Sequence, residues 1–240
     1  MIALLLQATL IWIEGFAALR KEKTKPDVKA YPLATAIIPA YLPNEAGVIM
    51  DTIDAFLQLT YPGPIQVILA YNTPVDMPIE QEFEQLAKKD PRFQPLRVPH
   101  STSKAQNVNA ALDHVVGEFV GIFDADHQPI SGAFRTAWQW LEQGYDVVQG
   151  HCVIRNGDES WVSRMIAVEF EAIYAVAHPG RARMHGFGIF GGSNGYWKTD
   201  LLRQTRLHGF MLTEDIDSSM RLMQKGYKIK VDPQIISREL

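Results

Sequence analysis

Two aspartates separated by one residue are the sharpest chemical feature of the sequence. Asp124 and Asp126 follow an apolar run that ends at Phe123, and side chains at positions i and i+2 of an extended chain project to the same side. Two such carboxylates can hold one hard divalent cation, Mg²⁺ or Mn²⁺, which prefers oxygen ligands and shares them with substrate phosphates. Because aspartate is also common in turns after strands, the pair alone leaves both a metal site and an ordinary turn open.

A predicted helix start provides a candidate anion site. The segment SKAQNVNAAL, residues 103–112, would present helix N-terminal amides together with Lys104 to a negatively charged group. A capping serine followed by a solvated lysine has the same sequence. Taken alone, this segment favours the structural interpretation.

An acidic cluster opens a second predicted helix. Glu214, Asp215 and Asp217 come directly before a helical pattern of methionine and leucine residues. Acidic residues are favoured at helix N-termini by capping and by the helix dipole. The functional alternative is that Asp215 is a general base, with Glu214 or Asp217 as the other choices.

Further polar residues follow the first two predicted strands, where ligands bind in open α/β sheets. They are Tyr41 and Glu45 after the first strand and Asn72 after the second. The glycine-rich segment FGGSNG, residues 190–195, could let a substrate approach the backbone closely or could be a turn. Its candidate contacts to a donor or acceptor sugar are Gly192, Ser193 and Asn194.

The alternation of short β-branched runs with longer helical patterns predicts an α/β fold with a mostly parallel, Rossmann-like sheet between helices. Predicted strands cover residues 34–38, 65–71, 93–98, 119–123, 147–153 and 228–231. Predicted helices cover residues 46–59, 79–88, 104–116, 133–143, 161–177, 200–206 and 214–225. A glycine-rich second half is expected to begin at residue 178.

Composition excludes several other classes of protein. The chain of 240 residues can bury one large core, and its net charge of -4, without a basic stripe, argues against nucleic acid as a partner. The single cysteine, Cys152, cannot form an internal disulfide and is interpreted as a small apolar residue in a strand. His151, His178 and His185 lack zinc-ligand spacing.

The first 19 residues are mostly apolar, and the basic residues Arg20, Lys21, Lys23 and Lys25 follow them. This order is unlike that of a signal peptide, and it predicts the end of a transmembrane helix with the rest of the chain on the cytoplasmic side of the cell membrane. The segment is short for a bilayer span, which needs about 20 apolar residues. A surface helix or a packed terminal helix is the alternative.

Five segments, taken in order, resemble the family 2 glycosyltransferases, with the greatest similarity to bacterial synthases of the cellulose and hyaluronan type. They are IIPAY, SKAQNVNAAL, FDADH, GGSN and TED. The resemblance spans about residues 35–238 and implies a GT-A fold, Mg²⁺ or Mn²⁺, and inverting transfer of a hexose from a nucleotide sugar, usually UDP-linked, to a growing polysaccharide. A lipid acceptor and a non-catalytic nucleotide-sugar-binding module are the alternatives.

The resemblance also implies roles for individual residues. Asp124 would contact the nucleotide, Asp126 the metal, Lys104 the diphosphate and Glu45 the nucleoside, while Asp215 would deprotonate the acceptor hydroxyl. The implied organisation is an apolar helix and basic segment over residues 1–25 and a catalytic domain over residues 30–240, with the C-terminal part of that domain missing.

Two features depart from the family pattern. The chain has Tyr71 and Asn72 where the family often has aspartates, although the Asn72 amide can still face a pyrimidine edge. The QxxRW motif of processive members is absent from the sequence, so processivity is left open.

Overall fold

The structure is a computed structural model that describes residues 1–20 and 28–240. The basic residues Lys21, Lys23 and Lys25 of the sequence analysis therefore lie outside the described residues. The strands are β1 (Ala34–Tyr41), β2 (Ile65–Asn72), β3 (Phe93–Arg97), β4 (Phe119–Ile122), β5 (Gln128–Pro129), β6 (Val147–Ile154), β7 (Gly195–Lys198) and β8 (Ile229–Glu239). The α-helices are α1 (Ile2–Ala18), α2 (Leu42–Glu45), α3 (Ile49–Leu57), α4 (Ile79–Lys89), α5 (Lys104–Ala111), α6 (Ala133–Glu142), α7 (Trp161–Glu171), α8 (His178–His185), α9 (Thr199–Thr205) and α10 (Glu214–Gln224).

The eight strands form one sheet in the order β3-β2-β1-β4-β7-β6-β8-β5. Strands β1 to β4 pair in parallel, but β7 lies antiparallel between β4 and β6, and β5 is antiparallel to β8. The prediction of a mostly parallel sheet is therefore corrected to a mixed sheet. Strand β7 is not among the predicted strands, because its four residues begin within the segment that was interpreted as glycine-rich.

Helices cover both faces of the sheet, as the alternation of side chains along β1 requires. Ala36 and Ile38 of β1 belong to a core cluster that includes the aromatic rings of Phe56 and Phe134 from α3 and α6. Ile37 faces the opposite side. It belongs to a second cluster with side chains of α5, α9 and α10, namely Val108, Leu202 and Leu222. The predicted helical layers on the two faces are confirmed.

Two predicted helices have different bounds in the structure. The helix expected over residues 46–59 is the shorter α3, and the separate one-turn helix α2, with Pro43 in its first turn, precedes the predicted range. The helix expected over residues 161–177 continues from α7 through a π-helical turn, Ala172–Ala177, into α8. It ends where Gly186 adopts a left-handed conformation (φ 78°), so the glycine-rich loop begins eight residues later than predicted.

Among the described residues, no helix combines the length and apolar character needed to cross a membrane. The predicted transmembrane helix is therefore not supported, and the segment forms the 17-residue helix α1.

Candidate active site

A cleft of about 890 Å³ opens at the carboxyl ends of β1 and β2 and beside the N-terminus of α5. Its lining includes most of the residues that the sequence analysis selected as nucleotide contacts: Tyr41, Glu45, Asn72, Lys104 and Asp124. Since β1, β2 and β4 are parallel neighbours, their carboxyl ends meet at one edge of the sheet. The ligand position expected for an open α/β sheet is thus present as a cavity.

Lys104 and Asp124 form an ion pair at the floor of this cleft. Lys104 is the first residue of α5, and the helix is capped because the Ser103 hydroxyl accepts a hydrogen bond from the Gln106 amide (3.3 Å). Asp124 is fixed from the opposite side, since its backbone amide donates to Ser193 Oγ (3.0 Å). A cationic side chain and a helix N-terminus are thus both directed at the aspartate turn.

Three carboxylates gather at the sheet edge. Burial raises the pKa of Glu45; a hydrogen bond from the Tyr41 amide (2.5 Å) opposes this shift, and the negative charges of Asp124 and Asp126 add to it. The mutual repulsion of these groups is countered by Lys104. Carboxylate oxygens are the ligands that Mg²⁺ and Mn²⁺ prefer, but Glu45, Asp124 and Asp126 do not come within 4.8 Å of one another as a group.

The end of β8 holds the aspartate turn in place. The Leu240 amide donates to Asp126 Oδ2 (3.2 Å), and the fully buried His127 bonds through Nδ1 to Ser237 Oγ (3.0 Å). Nε2 of His127 contacts the Glu239 carboxylate. These hydrogen bonds could not be predicted from the sequence, because the residues that they join are more than 100 positions apart and no local pattern connects them.

His127, Cys152 and Glu239 are the one group of three or more potential metal ligands that the described residues bring within 4.8 Å of one another. Cys152 lies in β6 and is buried, as the sequence analysis expected. Burial raises the pKa of its thiol well above the usual value, and the nearby Glu239 charge adds to the effect. Because metals bind the thiolate, we interpret this cluster as packing behind the aspartate turn.

Gly192 lies between Lys104 and Asp215. Its φ of 87° is left-handed, and a Cβ atom built on it would lie 3.1 Å from Asp215 Oδ2 and 3.7 Å from Lys104 Nζ. The chain can pass this point because glycine has no side chain. The Asp215 carboxylate therefore reaches the same edge of the cleft as the Lys104–Asp124 pair.

The neighbours of Gly192 have buried side chains. Ser193 accepts the bond from Asp124, while Asn194 Nδ2 donates to the carbonyls of His151 (3.1 Å) and Ile235 (2.9 Å). Both side chains are less than 5% exposed. They shape the loop, and the sugar contact predicted for Gly192, Ser193 and Asn194 stays a prediction.

Asp215 lies in the first turn of α10, as the acidic pattern predicted. Hydroxyls of Ser218 and Ser219 donate to its carbonyl oxygen (2.7 and 3.0 Å), and Ser219 Oγ also accepts the Phe190 amide (2.9 Å). These bonds tie α10 to the glycine-rich loop. Asp217 instead accepts a hydrogen bond from Arg221 Nε (2.9 Å), which engages its carboxylate within the helix.

Both ends of the Asn72 amide are engaged within the protein. Nδ2 donates to the Ser101 carbonyl (3.0 Å), and Oδ1 accepts from Nδ2 of Asn107 (2.8 Å), which also donates to the Ala40 carbonyl (3.2 Å). One N–H of Asn72 is left for a ligand. The sequence analysis did not select Asn107, although this buried residue lines the cleft and positions Asn72.

Comparison with known proteins agrees with this arrangement. Residues 32–240 match the family described as "Glycosyltransferase like family 2". The match covers well over half of the chain, so the chain belongs to this family.

Plant glucomannan mannosyltransferases are among its relatives. Glucomannan 4-beta-mannosyltransferase 1 of Oryza sativa subsp. japonica is 26% identical over 210 residues, which cover 83% of this chain and 40% of the relative. Glucomannan 4-beta-mannosyltransferase 2 of Arabidopsis thaliana is 26% identical over 210 residues, 82% of this chain and 39% of the relative. The chain therefore spans about two fifths of the length of these relatives.

Solved structures share the fold. The mannosyltransferase PcManGT from Pyrobaculum calidifontis, in complex with GDP-Man and Mn²⁺, aligns with a TM-score of 0.73 at 22% identity over 97% of this chain and 64% of that one. Glucosyl-3-phosphoglycerate synthase from Mycobacterium tuberculosis, in complex with Mn²⁺, UDP and phosphoglyceric acid, aligns with a TM-score of 0.59 at 17% identity, over 96% and 74%. These likenesses support a GT-A-like α/β fold.

Proposed function

We propose that this chain is the donor-binding and catalytic part of an inverting glycosyltransferase that moves a hexose from a nucleotide sugar to a growing glycan. GDP-mannose is the first donor to test, given the mannosyltransferase relatives and the GDP-Man complex of a structural neighbour. UDP-linked hexoses, expected from the sequence, are the second. The cytoplasmic location of the catalytic domain stays a prediction from the basic segment.

The observation that carries the proposal is that Lys104 and Asp215 both lie next to Gly192, while Lys104 is paired with Asp124 and both of these residues line the cleft. A cationic side chain and a helix N-terminus suit a diphosphate. The Asp215 carboxylate, whose Oδ1 accepts a hydrogen bond from the Ile216 backbone amide (2.8 Å) and whose Oδ2 faces Gly192, suits a hydroxyl that must lose its proton. The cleft itself leaves room for the nucleoside beside Tyr41 and Asn72.

Each side chain has a definable part in the transfer. Lys104 would bind the diphosphate after exchanging its ion pair with Asp124 for the ligand. Asp215 would accept the proton of the acceptor hydroxyl as that oxygen bonds to the anomeric carbon. The bond from this carbon to the diphosphate breaks on the opposite face, and the electron pair leaves with the diphosphate. A single displacement inverts the anomeric configuration.

Asp124 and Asp126 would hold Mg²⁺ or Mn²⁺ if the reaction is metal-dependent. Such an ion would neutralise charge that develops on the departing diphosphate. Glu45 adds negative potential to the site and, through the bond from Tyr41, fixes the backbone where the nucleoside would lie. Asn107 would act indirectly by orienting the Asn72 amide.

Calorimetric titration of GDP-mannose, GDP-glucose, UDP-glucose and UDP-GlcNAc, with Mn²⁺ and with excess chelator, tests the proposal. We expect either the GDP-sugars or the UDP-sugars to bind selectively. We also expect Asp126→Ala to remove the dependence of donor binding on Mn²⁺. Asp200→Ala is the matched control, because Asp200 is 89% exposed on α9 and lies outside the cleft. If Asp126→Ala bound the preferred donor as tightly as the unmodified chain and lost the same affinity when chelator was added, the assignment of the metal site to Asp126 would be contradicted.

A further inference from the structure

Gln149 of β6 is a buried polar side chain to which the proposed reaction assigns no part. Its amide makes four hydrogen bonds within the protein. Oε1 accepts from the Gly191 amide (2.8 Å), and Nε2 donates to the Ser193 carbonyl (2.9 Å). The other two bonds run from Nε2 to further backbone carbonyls, those of Gly150 (3.0 Å) and Asn194 (3.4 Å).

An uncharged amide matches these partners. A backbone N–H donates and a backbone carbonyl accepts, so the partners require one acceptor and one donor at the end of the same side chain. Glutamine supplies both, whereas an ionised glutamate has no donor. A buried backbone group that is left without a partner costs more free energy than its hydrogen bond contributes. The Gln149 amide is therefore matched to the backbone on both sides of Gly192.

Strand β6 lies directly against the glycine-rich loop. A Cβ atom on Gly150 would lie 2.3 Å from Asn194 Nδ2 and 2.5 Å from the Ile235 carbonyl oxygen. The pairing of β6 with β8 is also irregular between Gln149 and His151. Glycine in a strand marks such a close approach, and irregular pairing next to an active site re-aims a side chain. These features let Gln149 reach the backbone of the loop.

Other hydrogen bonds support the loop from one side of Gly192 only. Before it, the Phe190 amide donates to Ser219 Oγ (2.9 Å). After it, Ser193 Oγ accepts from the Asp124 amide (3.0 Å). Each of these bonds fixes one end of the loop, whereas the Gln149 amide joins the two ends to each other.

The Gly192 backbone needs such support because two glycines follow each other here. Glycine has the widest choice of backbone conformations, yet Gly192 keeps a left-handed φ of 87°. A Cβ atom there would have Asp215 Oδ2 (3.1 Å) and Lys104 Nζ (3.7 Å) as neighbours. These two groups carry opposite charges and attract each other. An ion pair between them would compete with an acceptor hydroxyl for the Asp215 carboxylate.

We propose that Gln149 is a positioning residue that fixes the Gly192 backbone as a spacer. The spacer separates the Lys104 ammonium, which would bind the diphosphate, from the Asp215 carboxylate, which would accept the proton of the acceptor. The role of Gln149 in turnover rests on the proposed function, because it acts through these two side chains. Its hydrogen bonds to the loop can be tested without any reaction.

The variants Gln149→Met and Gln66→Met test the proposal. Methionine has a similar length but offers only a weak acceptor in place of the amide. Gln66 is the matched control, because its amide also makes four hydrogen bonds. It lies near the amino end of β2, outside the cleft at the carboxyl ends of the strands. Both variants should lower Tm, since each leaves polar partners unpaired.

Amide hydrogen exchange, followed by NMR well below both Tm values, tests the bonds of Gln149 to the loop. The Gly191 amide should exchange at least about tenfold faster in Gln149→Met and close to its normal rate in Gln66→Met. An unchanged Gly191 rate in a folded Gln149→Met chain would overturn the proposal. If Gln149→Met does not fold, Gln149→Asn, whose amide is one methylene shorter, gives the same comparison with Gln66→Asn.

Release of nucleotide from the preferred donor, with water as the acceptor, tests the positioning role. The kcat of Gln149→Met should fall at least about tenfold, because a displacement of about 1 Å at a reacting group can cost a factor of about a hundred. Its KM for the donor should stay close to that of the unmodified chain, and Gln66→Met should keep both constants.

Equal loss of kcat in the two variants would show that Gln149 acts only on stability and would overturn the proposal. A normal kcat in Gln149→Met, despite faster exchange at Gly191, would overturn it as well. An unmodified chain that binds and hydrolyses no donor would contradict the proposed function and, with it, the role of Gln149 in turnover. The exchange rate of Gly191 would then still decide whether Gln149 holds the loop.

Discussion

The N-terminal half of the sheet and its C-terminal half support the candidate site in different ways. Around β1 to β4, the site residues follow parallel strands or open a helix, so their positions are set by local structure and short hydrogen bonds such as the Ser103 cap. Around β6 to β8, the site depends on buried contacts between distant segments, such as Asn194 with Ile235 and His127 with Ser237. The side formed by β1 to β4, the donor side of the proposed reaction, depends largely on strand ends and a helix start, with Asn107–Asn72 as a longer-range contact. The side formed by β6 to β8, the catalytic side of the proposed reaction, depends on tertiary packing.

The largest effect should come from Asp215→Asn, on the catalytic side. An asparagine keeps the shape and the helix N-terminal preference but cannot accept the proton. General-base assistance is worth a factor of about 10² to 10⁴, so transfer should fall at least a hundredfold while donor binding stays normal. The measurement is turnover with the complete enzyme, beside calorimetric donor affinity.

Glu214→Gln is the matched control, because Glu214 precedes Asp215 in the same turn of α10. Its turnover should stay close to that of the unmodified enzyme. If Glu214→Gln lost the activity and Asp215→Asn kept it, the base would be Glu214. The approach of the Asp215 carboxylate to Gly192 would then have no part in proton transfer.

A second, smaller effect should follow from Gly192→Ala. A left-handed φ costs an alanine about 1–2 kcal/mol, which lowers Tm by roughly 2–8 °C in a domain of this size. The new methyl would also crowd Asp215 Oδ2, so turnover should fall as well.

Gly144→Ala separates the two causes. Gly144 has nearly the same φ, 88°, but a Cβ there meets nothing within 4 Å. Both variants should show a similar loss of Tm by calorimetry, and only Gly192→Ala should lose turnover. Full turnover in Gly192→Ala would show that the close approach of Gly192 to Asp215 is unimportant for the reaction.

The smallest effect should appear on the donor side, in the pH dependence of stability. The folded pKa of Glu45 is raised, chiefly by burial, so its ionised form weakens the fold at pH values above that pKa. This penalty disappears as the pH falls below the unfolded value near 4.5. In chelator, Glu45→Gln should therefore have a higher Tm than the unmodified chain at pH 7, with the difference shrinking toward pH 4.

Adding Mn²⁺ provides a further check on the predicted Tm difference between Glu45→Gln and the unmodified chain. Mn²⁺ bound by Asp124 and Asp126 would stabilise a charged Glu45, so the advantage of Glu45→Gln should narrow when Mn²⁺ is added. A Glu45→Gln chain that is less stable than the unmodified chain at pH 7 would show that the bond to the Tyr41 amide outweighs the cost of burial.

Local sequence patterns were enough to predict the family, most strands of the sheet and the acidic and basic residues of the cleft. Asp124, Asp126, Lys104 and Asp215 could be selected because strand ends and helix starts leave local patterns. The helices on both faces could likewise be predicted, since the periodicity of apolar residues records which side of each element is buried.

The way in which the C-terminal half completes the site could not be predicted from the sequence. The antiparallel β7, the buried roles of Ser193 and Asn194, and the contacts of β8 with the aspartate turn all join residues that are distant in sequence. Hydrogen bonds of this kind produce no periodic pattern in the sequence, because the two residues become neighbours only when the chain folds. The same holds for α1, because its exposed apolar surface can be recognised only from the position of α1 on the folded chain.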